Sequence, residues 1–312
     1  MPEVRCGCEI TAKTKRFWKV QLDMLELFMQ ICDKYHFRWQ VNGGTLLGAV
    51  RHHGYIPWDD DIDIIMPRKD YDEFNRVAAK ELPSHIALEN PWVNPAEFGN
   101  QSRLRNSNTT QIDEWHLQRY DASNQGIFID ILPTDDVPAD MGKRIPLLEK
   151  YLDEARRITT YRKAFQKGPF FAFRTRGWRR GLRRYLKICF ILLKAGGGIR
   201  AYEKVEDMIR KYHFEPGEER VCGLAKWGAT SKRYTKVFWP PDELWGELID
   251  MPFEYLTVKA PKAYDHLLTI NYGDWHQLVK GGGGHESLEI DPDRPYKEVL
   301  IEKYGYTGKE FR

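Results

Sequence analysis

Four carboxylates fall within five positions, Asp59, Asp60, Asp61 and Asp63, in the run Pro57-Trp58-Asp59-Asp60-Asp61-Ile62-Asp63-Ile64-Ile65. Carboxylates this close repel one another, and a folded chain keeps such a cluster when a cation offsets the charge. Asp61 and Asp63 alternate with Ile62 and Ile64, which reads as a strand: the two aspartates share one face and the isoleucines turn to the core. Two hard oxygen donors on one face suit Mg²⁺ or Mn²⁺, which takes one or two carboxylates together with substrate phosphates. A calcium loop is excluded. The spacing Asp59-x-Asp61-x-Asp63 begins like an EF-hand, but the positions that need Gly and a bidentate Glu hold Ile64 and Asp70. An Asp-rich turn would not run into three isoleucines.

The residues ahead of the cluster point to phosphate. Trp39-Gln40-Val41-Asn42 reads as a short strand, Gly43-Gly44 as a turn, and Thr45 to Val50 as a short helix. Paired glycines let backbone approach a phosphate, and a helix N-terminus offers unpaired N–H groups to an anion. Gly43, Gly44 and Thr45 are therefore phosphate-binding candidates. Neither a Walker A loop nor a dinucleotide fingerprint is present, since the glycine spacing and the following residues fit neither. Arg51, just past this helix, and Arg105 are candidate diphosphate clamps, because a guanidinium fork matches phosphate geometry. Either could instead pair with the aspartates. Later in the chain, Ile127-Phe128-Ile129-Asp130-Ile131-Leu132 is an apolar strand with one charge inside it. A buried Asp is costly unless paired or metal-bound, so Asp130 is either a third metal ligand or the partner of Arg103 or Arg105.

Gly43-Gly44 followed by Asp61-x-Asp63 resembles the nucleotidyltransferase-fold superfamily, whose pattern is Gly-Gly/Ser, a spacer, Asp-x-Asp and a third carboxylate on a later strand. The stretch from Asn42 through Arg51-His-His-Gly-Tyr-Ile-Pro-Trp58 to Ile64 is similar to the LicD family in particular. So are Arg103-Leu-Arg-Asn-Ser-Asn-Thr-Thr110, Gly126-Ile-Phe-Ile-Asp-Ile-Leu-Pro-Thr-Asp135 and Asn271-Tyr-Gly-Asp274. The resemblance implies a mixed sheet flanked by helices (an α/β, or α+β, nucleotidyltransferase-like fold) with Asp61, Asp63 and Asp130 as catalytic metal ligands. It also implies transfer of a phospho-alcohol, phosphocholine or a phospho-polyol, from a CDP-alcohol such as CDP-choline to a sugar hydroxyl of a cell-surface polysaccharide, lipopolysaccharide or teichoic acid, with release of CMP. A choline ammonium wants an aromatic cage, for which Trp58 and Trp275 are the candidates among ten Trp and sixteen Tyr. Two alternatives remain at this point: a nucleotidyltransferase moving NMP from an NTP to a small acceptor, and a non-catalytic glycan-binding protein. The chain departs from the family's pattern after Asp274, where four glycines, Gly281 to Gly284, precede His285 in place of a Pro- and charge-rich loop.

The elements that must position these groups are legible in outline. Phe17, Val20, Met24, Leu27, Phe28, Ile31 and Tyr35 recur at helical spacing over residues 14–36. Residues 67–81 predict a second helix, with Tyr71, Phe74 and Val77 inward and Pro83 ending it. Asp135 and Asp136, past Pro133, are expected in a turn. Phe253 to Val258 reads as a strand, and Ala260 to Leu268 as a helix with Pro261 in its first turn.

The charge is uneven. Between Ala155 and Tyr202 there are fourteen Lys or Arg and no Asp or Glu, so the rest of a chain whose total is +3 carries −11. Phe171, Trp178, Leu182, Tyr185, Leu186, Cys189, Phe190 and Leu193 recur there at helical spacing, with Arg174, Arg179, Arg180, Arg183, Arg184 and Lys187 between them. That is the pattern of an interfacial membrane binder, of an ordinary surface helix, or of a nucleic-acid face. The expectation taken is peripheral contact with the inner face of a membrane, near a lipid-linked glycan acceptor, without a nucleic-acid partner. The organisation expected is a catalytic core over 1–140, a basic helical insertion over 141–215 and a C-terminal part over 216–312 completing the catalytic domain. The polar start predicts no signal peptide, no apolar run reaches spanning length, and five scattered cysteines suit a reducing compartment. The expected location is cytoplasmic.

Overall fold

In a computed structural model, the described residues are 3–93, 101–113, 124–166, 178–194, 198–225, 236–280 and 287–307. The predicted positions of Phe171, Arg174 and the Gly281–His285 loop lie outside them.

One long strand organises the chain. Strand β8 (Ile127–Pro138) pairs in parallel with β4 (Asp63–Pro67), and antiparallel with β6 (Ser102–Asn106) along its first half and with β9 (Arg220–Gly223) along its second. Strands β3 (Gln40–Val41), β5 (Ile86–Glu89) and β10 (Phe238–Trp239) complete a seven-stranded mixed sheet. Both faces of β4 and β8 are covered, so their residues alternate between two cores rather than between core and water. Ile64, Met66, Ile127, Ile129 and Ile131 join one core with helix α1 (Ala12–Tyr35) and helix α2 (Gly43–His52). Ile65 and Leu132 join the other, with helices α4 (Met141–Gln166) and α6 (Gly198–Arg210). Helix α3 (Arg68–Glu81) buries Tyr71 and Phe74 in the first core, as its spacing predicts. This is an α/β architecture, as expected. Among the described residues no helix is long and apolar enough to cross a membrane, and all five cysteines are free.

Three local expectations need correction. Strand β8 does not stop at Pro133 but runs to Pro138, so Asp135 and Asp136 stand in a strand, paired with Gly223 and Cys222 of β9. Pro133 is tolerated because it falls between the last β6 pair, Ser102–Ile131, and the first β9 pair. Asp135 is buried and held by both ends of the Arg68 fork, Nε at 2.7 Å and Nη2 at 2.6 Å, while Nη1 reaches buried Glu206 at 3.0 Å. The apolar run at Phe253 is a hairpin instead of one strand. Strand β11 (Leu248–Phe253) turns through Glu254, at φ +55°, into β12 (Leu256–Pro261), which carries Pro261 at its end. The Glu254 carboxylate accepts from Arg5 and from the Tyr55 N–H, which pins that turn to the segment after α2. The helix predicted from Ala260 begins only at Tyr264: helix α8 (Tyr264–Tyr272) follows helix α7 (Pro241–Trp245).

The basic stretch is helical where described: α4, α5 (Trp178–Lys194) and α6. At the other end, helix α9 (Tyr296–Tyr304) packs Val299 and Leu300 on Ile112 of β7 (Thr110–Asp113), whose ladder partner is β13 (Ser287–Asp291).

Candidate active site

Asp63 opens β4 and lies directly across the parallel ladder from Asp130. Ladder partners share a face, and both aspartates stand on the face of Ile65 and Leu132, at the open end of the second core. The Asp130 N–H donates to the Ile62 carbonyl at 2.8 Å, which extends this register one step before the strand. Asp61 precedes β4 in an irregular segment with Asp59 and Asp60, so it does not share a strand face with Asp63 as its spacing predicts. Instead Asp59, Asp60 and Asp61, all half-buried, each bring one oxygen within 4.8 Å of the others. Helix α1 fixes this loop. The buried Gln21 amide donates to the Asp60 carbonyl at 2.9 Å and to the Phe128 carbonyl at 3.1 Å, and takes a hydrogen bond from Tyr55 at 3.0 Å. One side chain thus ties the aspartate loop to the strand that carries Asp130.

Helix α2 abuts the same place. The Asp63 N–H donates to Thr45 Oγ1 at 2.9 Å, and the Asn42 N–H to the Asp63 carbonyl at 3.0 Å. Gly43 sits at φ +57°, and a Cβ there would meet Asp63 Oδ2 at 3.0 Å. A Cβ on Gly44 would meet Asp59 Oδ2 at 2.5 Å, closer than real side chains approach. Gly43 is favoured by its left-handed φ, and a side chain at Gly44 would have to push the Asp59 carboxylate aside. The Tyr272 hydroxyl lies 3.9 Å from that Gly43 Cβ position, so the Asn271-Tyr-Gly-Asp274 motif returns to the N-terminus of α2. Residue spacing alone attached no role to Tyr272.

Asp130 also has a partner. Arg103, opposite it on β6, donates from Nε to Oδ1 at 2.6 Å, Gln101 adds a hydrogen bond at 3.1 Å, and the Arg103 guanidinium lies 4.4 Å from the Phe128 ring. The salt-bridge expectation for Asp130 is thus met by Arg103. Arg105 stands two ladder pairs further off, opposite Phe128, where it is buried and donates to the Gly126 carbonyl at 2.8 Å. Arg51 is turned to the C-terminal segment: its Nη1 donates to the carbonyls of Trp275 and Gln277, at 3.0 and 3.2 Å, and burial lowers its proton affinity. Trp275 is buried, and its indole N–H donates to Asp265 at 3.2 Å. Trp58 is partly buried against the first core. Trp275 stacks on His276, ring centroids 3.9 Å apart, and among the described residues no ring contact joins it to Trp58.

The carboxylates of the site act on one another. Burial, then Asp61, Asp130 and Asp59 in that order, push the Asp63 carboxyl well above the ordinary carboxylate range, and Arg103 opposes them. Clustered hard oxygen donors around a carboxyl that resists ionisation fit a divalent cation of the Mg²⁺ or Mn²⁺ type. Asp59, Asp60 and Asp61, whose oxygens cluster, are residues that could hold it, with Asp63 close enough to feel Asp61, Asp130 and Asp59. Asp59 and Asp60 are additions to the predicted set of Asp61, Asp63 and Asp130.

Comparison with known proteins agrees with this geometry. Residues 36–146, which include α2, the aspartate loop, β4 and β8, match the family described as LicD/FKTN/FKRP, nucleotidyltransferase domain. The lipopolysaccharide cholinephosphotransferase LicD of Haemophilus influenzae is 27% identical over 265 residues, covering 83% of this chain and 89% of that protein. An uncharacterized protein of Rickettsia typhi is 36% identical over 72 residues, 21% of this chain and 23% of its own. Residues 36–146 thus match the LicD family's nucleotidyltransferase domain, and the similarity to a LicD protein runs on through most of the chain.

Proposed function

We propose that the protein transfers a phospho-alcohol, phosphocholine or a related phospho-polyol, from a CDP-alcohol to a sugar hydroxyl of a cell-surface glycan, releasing CMP. The reading places it in the cytoplasm, at the inner face of the membrane where a lipid-linked acceptor would be met. The observation that carries it is the register of β4 and β8. It sets Asp63 beside Asp130, with Asp61 and Asp59 near enough to raise the Asp63 carboxyl and the glycine-led start of α2 against it. The name of the Haemophilus relative supports the substrate class.

In the reaction an acceptor oxygen bonds to the phosphorus that bears the alcohol, the phosphoanhydride bond breaks, and CMP leaves with its electron pair. A bound divalent cation supplies charge neutralisation at the phosphates. The chain's own residues do the rest. The start of α2, at Gly43, Gly44 and Thr45, offers backbone N–H groups to phosphate oxygens. Asp130 orients the acceptor hydroxyl and takes its proton. Arg103, released from Asp130, is placed to meet the charge on the leaving phosphate better than Arg105 or Arg51, both of which are engaged with backbone carbonyls.

Incubation with Mg²⁺ or Mn²⁺, a glycan acceptor and a panel of CDP-choline, CDP-ribitol, CDP-glycerol and NTPs tests this. CMP release dependent on a CDP-alcohol, a divalent cation and acceptor is expected. Pyrophosphate release from an NTP would instead make it a nucleotidyltransferase, and no turnover with any donor would favour a glycan-binding role.

A further inference from the structure

Helix α5 has three faces where an ordinary surface helix has two. At about 100° per residue, Gly181 and Ile188 share one sector and are buried, and the helix packs beside α4. A neighbouring sector of about 120° by the same geometry holds Trp178, Leu182, Leu186, Phe190 and Leu193. These are 66, 38, 56, 65 and 78% exposed, so the apolar stripe is not the one that packs on the protein. Arg180, Arg183, Arg184 and Lys187 fill the third sector, all exposed, and Arg179 stands on the apolar side with its guanidinium 5.4 Å from the Trp178 ring. From Ala155 to Tyr202 the sequence holds no acidic residue to answer them. Folded monomers rarely leave a contiguous apolar surface of this size bare.

We infer that α5 is a membrane-docking helix that lies in the interface of an anionic bilayer. Trp178, Leu182, Leu186, Phe190 and Leu193 sit among the upper acyl chains, and Arg179, Arg180, Arg183, Arg184 and Lys187 contact lipid phosphates. Charge complementarity selects this occupant. A second copy of the chain packed on the same stripe would set five cations against five, and an uncharged partner would leave them unanswered. An anionic lipid surface covers the apolar sector and pairs the basic one together, which is the arrangement of interfacial helices. A helix of 17 residues with this many cations does not span. The inference is independent of the transfer reaction, because docking is read without substrate.

The test is co-sedimentation of the full chain with vesicles of phosphatidylcholine alone and of phosphatidylcholine with phosphatidylglycerol. Binding to the anionic vesicles only is expected, weakening as salt rises. Each cation near an anionic surface is worth ~5-fold in partitioning. Reversal of Arg180, Arg183, Arg184 and Lys187 to Glu should therefore lower the partition coefficient by at least ~10²-fold. The pair Leu186→Ser and Phe190→Ser should lower it as well while leaving the melting temperature unchanged, since both side chains are exposed. Equal binding to both vesicles, binding to neither, or binding unaffected by both sets of substitutions would overturn the proposal. So would a dimer that Phe190→Ser dissolves in a chain that ignores vesicles, because a second copy would then be what covers the stripe.

Discussion

Arg103→Met isolates the competition between a built-in cation and a bound one. Methionine keeps the length of the side chain and its apolar contact with Phe128, and removes the charge that answers Asp130. Both partners are buried, their side chains 11 and 5% exposed, so solvent screens the pair little. Removing one side of a buried pair costs ~3–5 kcal/mol. Because Gln101 keeps its hydrogen bond to Asp130, the lower end, ~3 kcal/mol, is the reasonable figure. Unfolding entropy of ~2.1 cal/mol/K per residue, taken over the whole chain, is ~0.65 kcal/mol/K, so the variant should melt about 5 °C lower in EDTA. A ligand at a hundred times its dissociation constant returns ~2.7 kcal/mol, about 4 °C on the same scale. In the wild type part of that gain is spent drawing Asp130 away from Arg103, whereas in Arg103→Met none is. The rise in melting temperature on adding MgCl₂ or MnCl₂ should therefore be larger in the variant. Calorimetry or dye-monitored melting across a metal titration measures both differences. An equal or smaller metal-induced rise in the variant would refute the idea that Arg103 and a cation contend for one carboxylate group. An unchanged melting point in EDTA would refute the stabilising pair.

Three further outcomes follow from the same geometry. Asp63→Asn should abolish turnover yet stabilise the metal-free protein. The folded carboxyl holds its proton well above the ordinary value of 3.8, so its contribution is full below that pH and is lost as pH rises through the folded value. The melting temperature of Asp63→Asn minus that of wild type should accordingly grow with pH in EDTA and shrink when Mg²⁺ is present; a difference independent of pH would refute the repulsion. Asp130→Asn should cut turnover by at least ~10²-fold with little loss of nucleotide binding, checked by initial rates against equilibrium dialysis. Gly44→Ala should leave a folded protein with weakened metal affinity, read by titration calorimetry, because its Cβ displaces the Asp59 carboxylate.

What could be read from sequence was what short spacing encodes. Asp63 and Asp130 stand out because each interrupts an apolar strand, and Gly43-Gly44 because paired glycines let backbone approach closely. The elements that hold them, α1, α2, α3 and the first half of β8, have periodicities that tertiary packing does not override. What escaped depends on pairings between distant segments. Arg103 and Arg105 are equivalent by composition, and only the register of β6 on β8 places the first opposite Asp130 and the second opposite Phe128. Arg51 looks like a phosphate clamp until the carbonyls of Trp275 and Gln277, more than two hundred residues away, take its donors. Asp135, beside Pro133, looks like a turn residue until β9 arrives to pair with it and Arg68 to neutralise it.

The same dependence on long-range register explains why the acid cluster survives at all. The aspartate loop sets three like charges side by side, and their repulsion alone would spread it apart. Gln21 prevents this by hydrogen-bonding the Asp60 and Phe128 carbonyls at once, so that α1 locks the loop to β8 whatever the charge state of its carboxylates. Gln21→Leu fits the buried volume but removes both donations to the Asp60 and Phe128 carbonyls and takes from the Tyr55 hydroxyl its nearer acceptor, leaving only the Trp18 carbonyl at 3.5 Å. A loss of ~1–3 kcal/mol is expected for stranding buried polar groups, about 2–5 °C over this chain. The larger effect should fall on metal affinity, because the loop oxygens lose their common anchor. Melting in EDTA measures the first effect and titration calorimetry with Mn²⁺ the second. A variant that melts lower but binds Mn²⁺ with wild-type affinity would show that the loop holds its shape without Gln21.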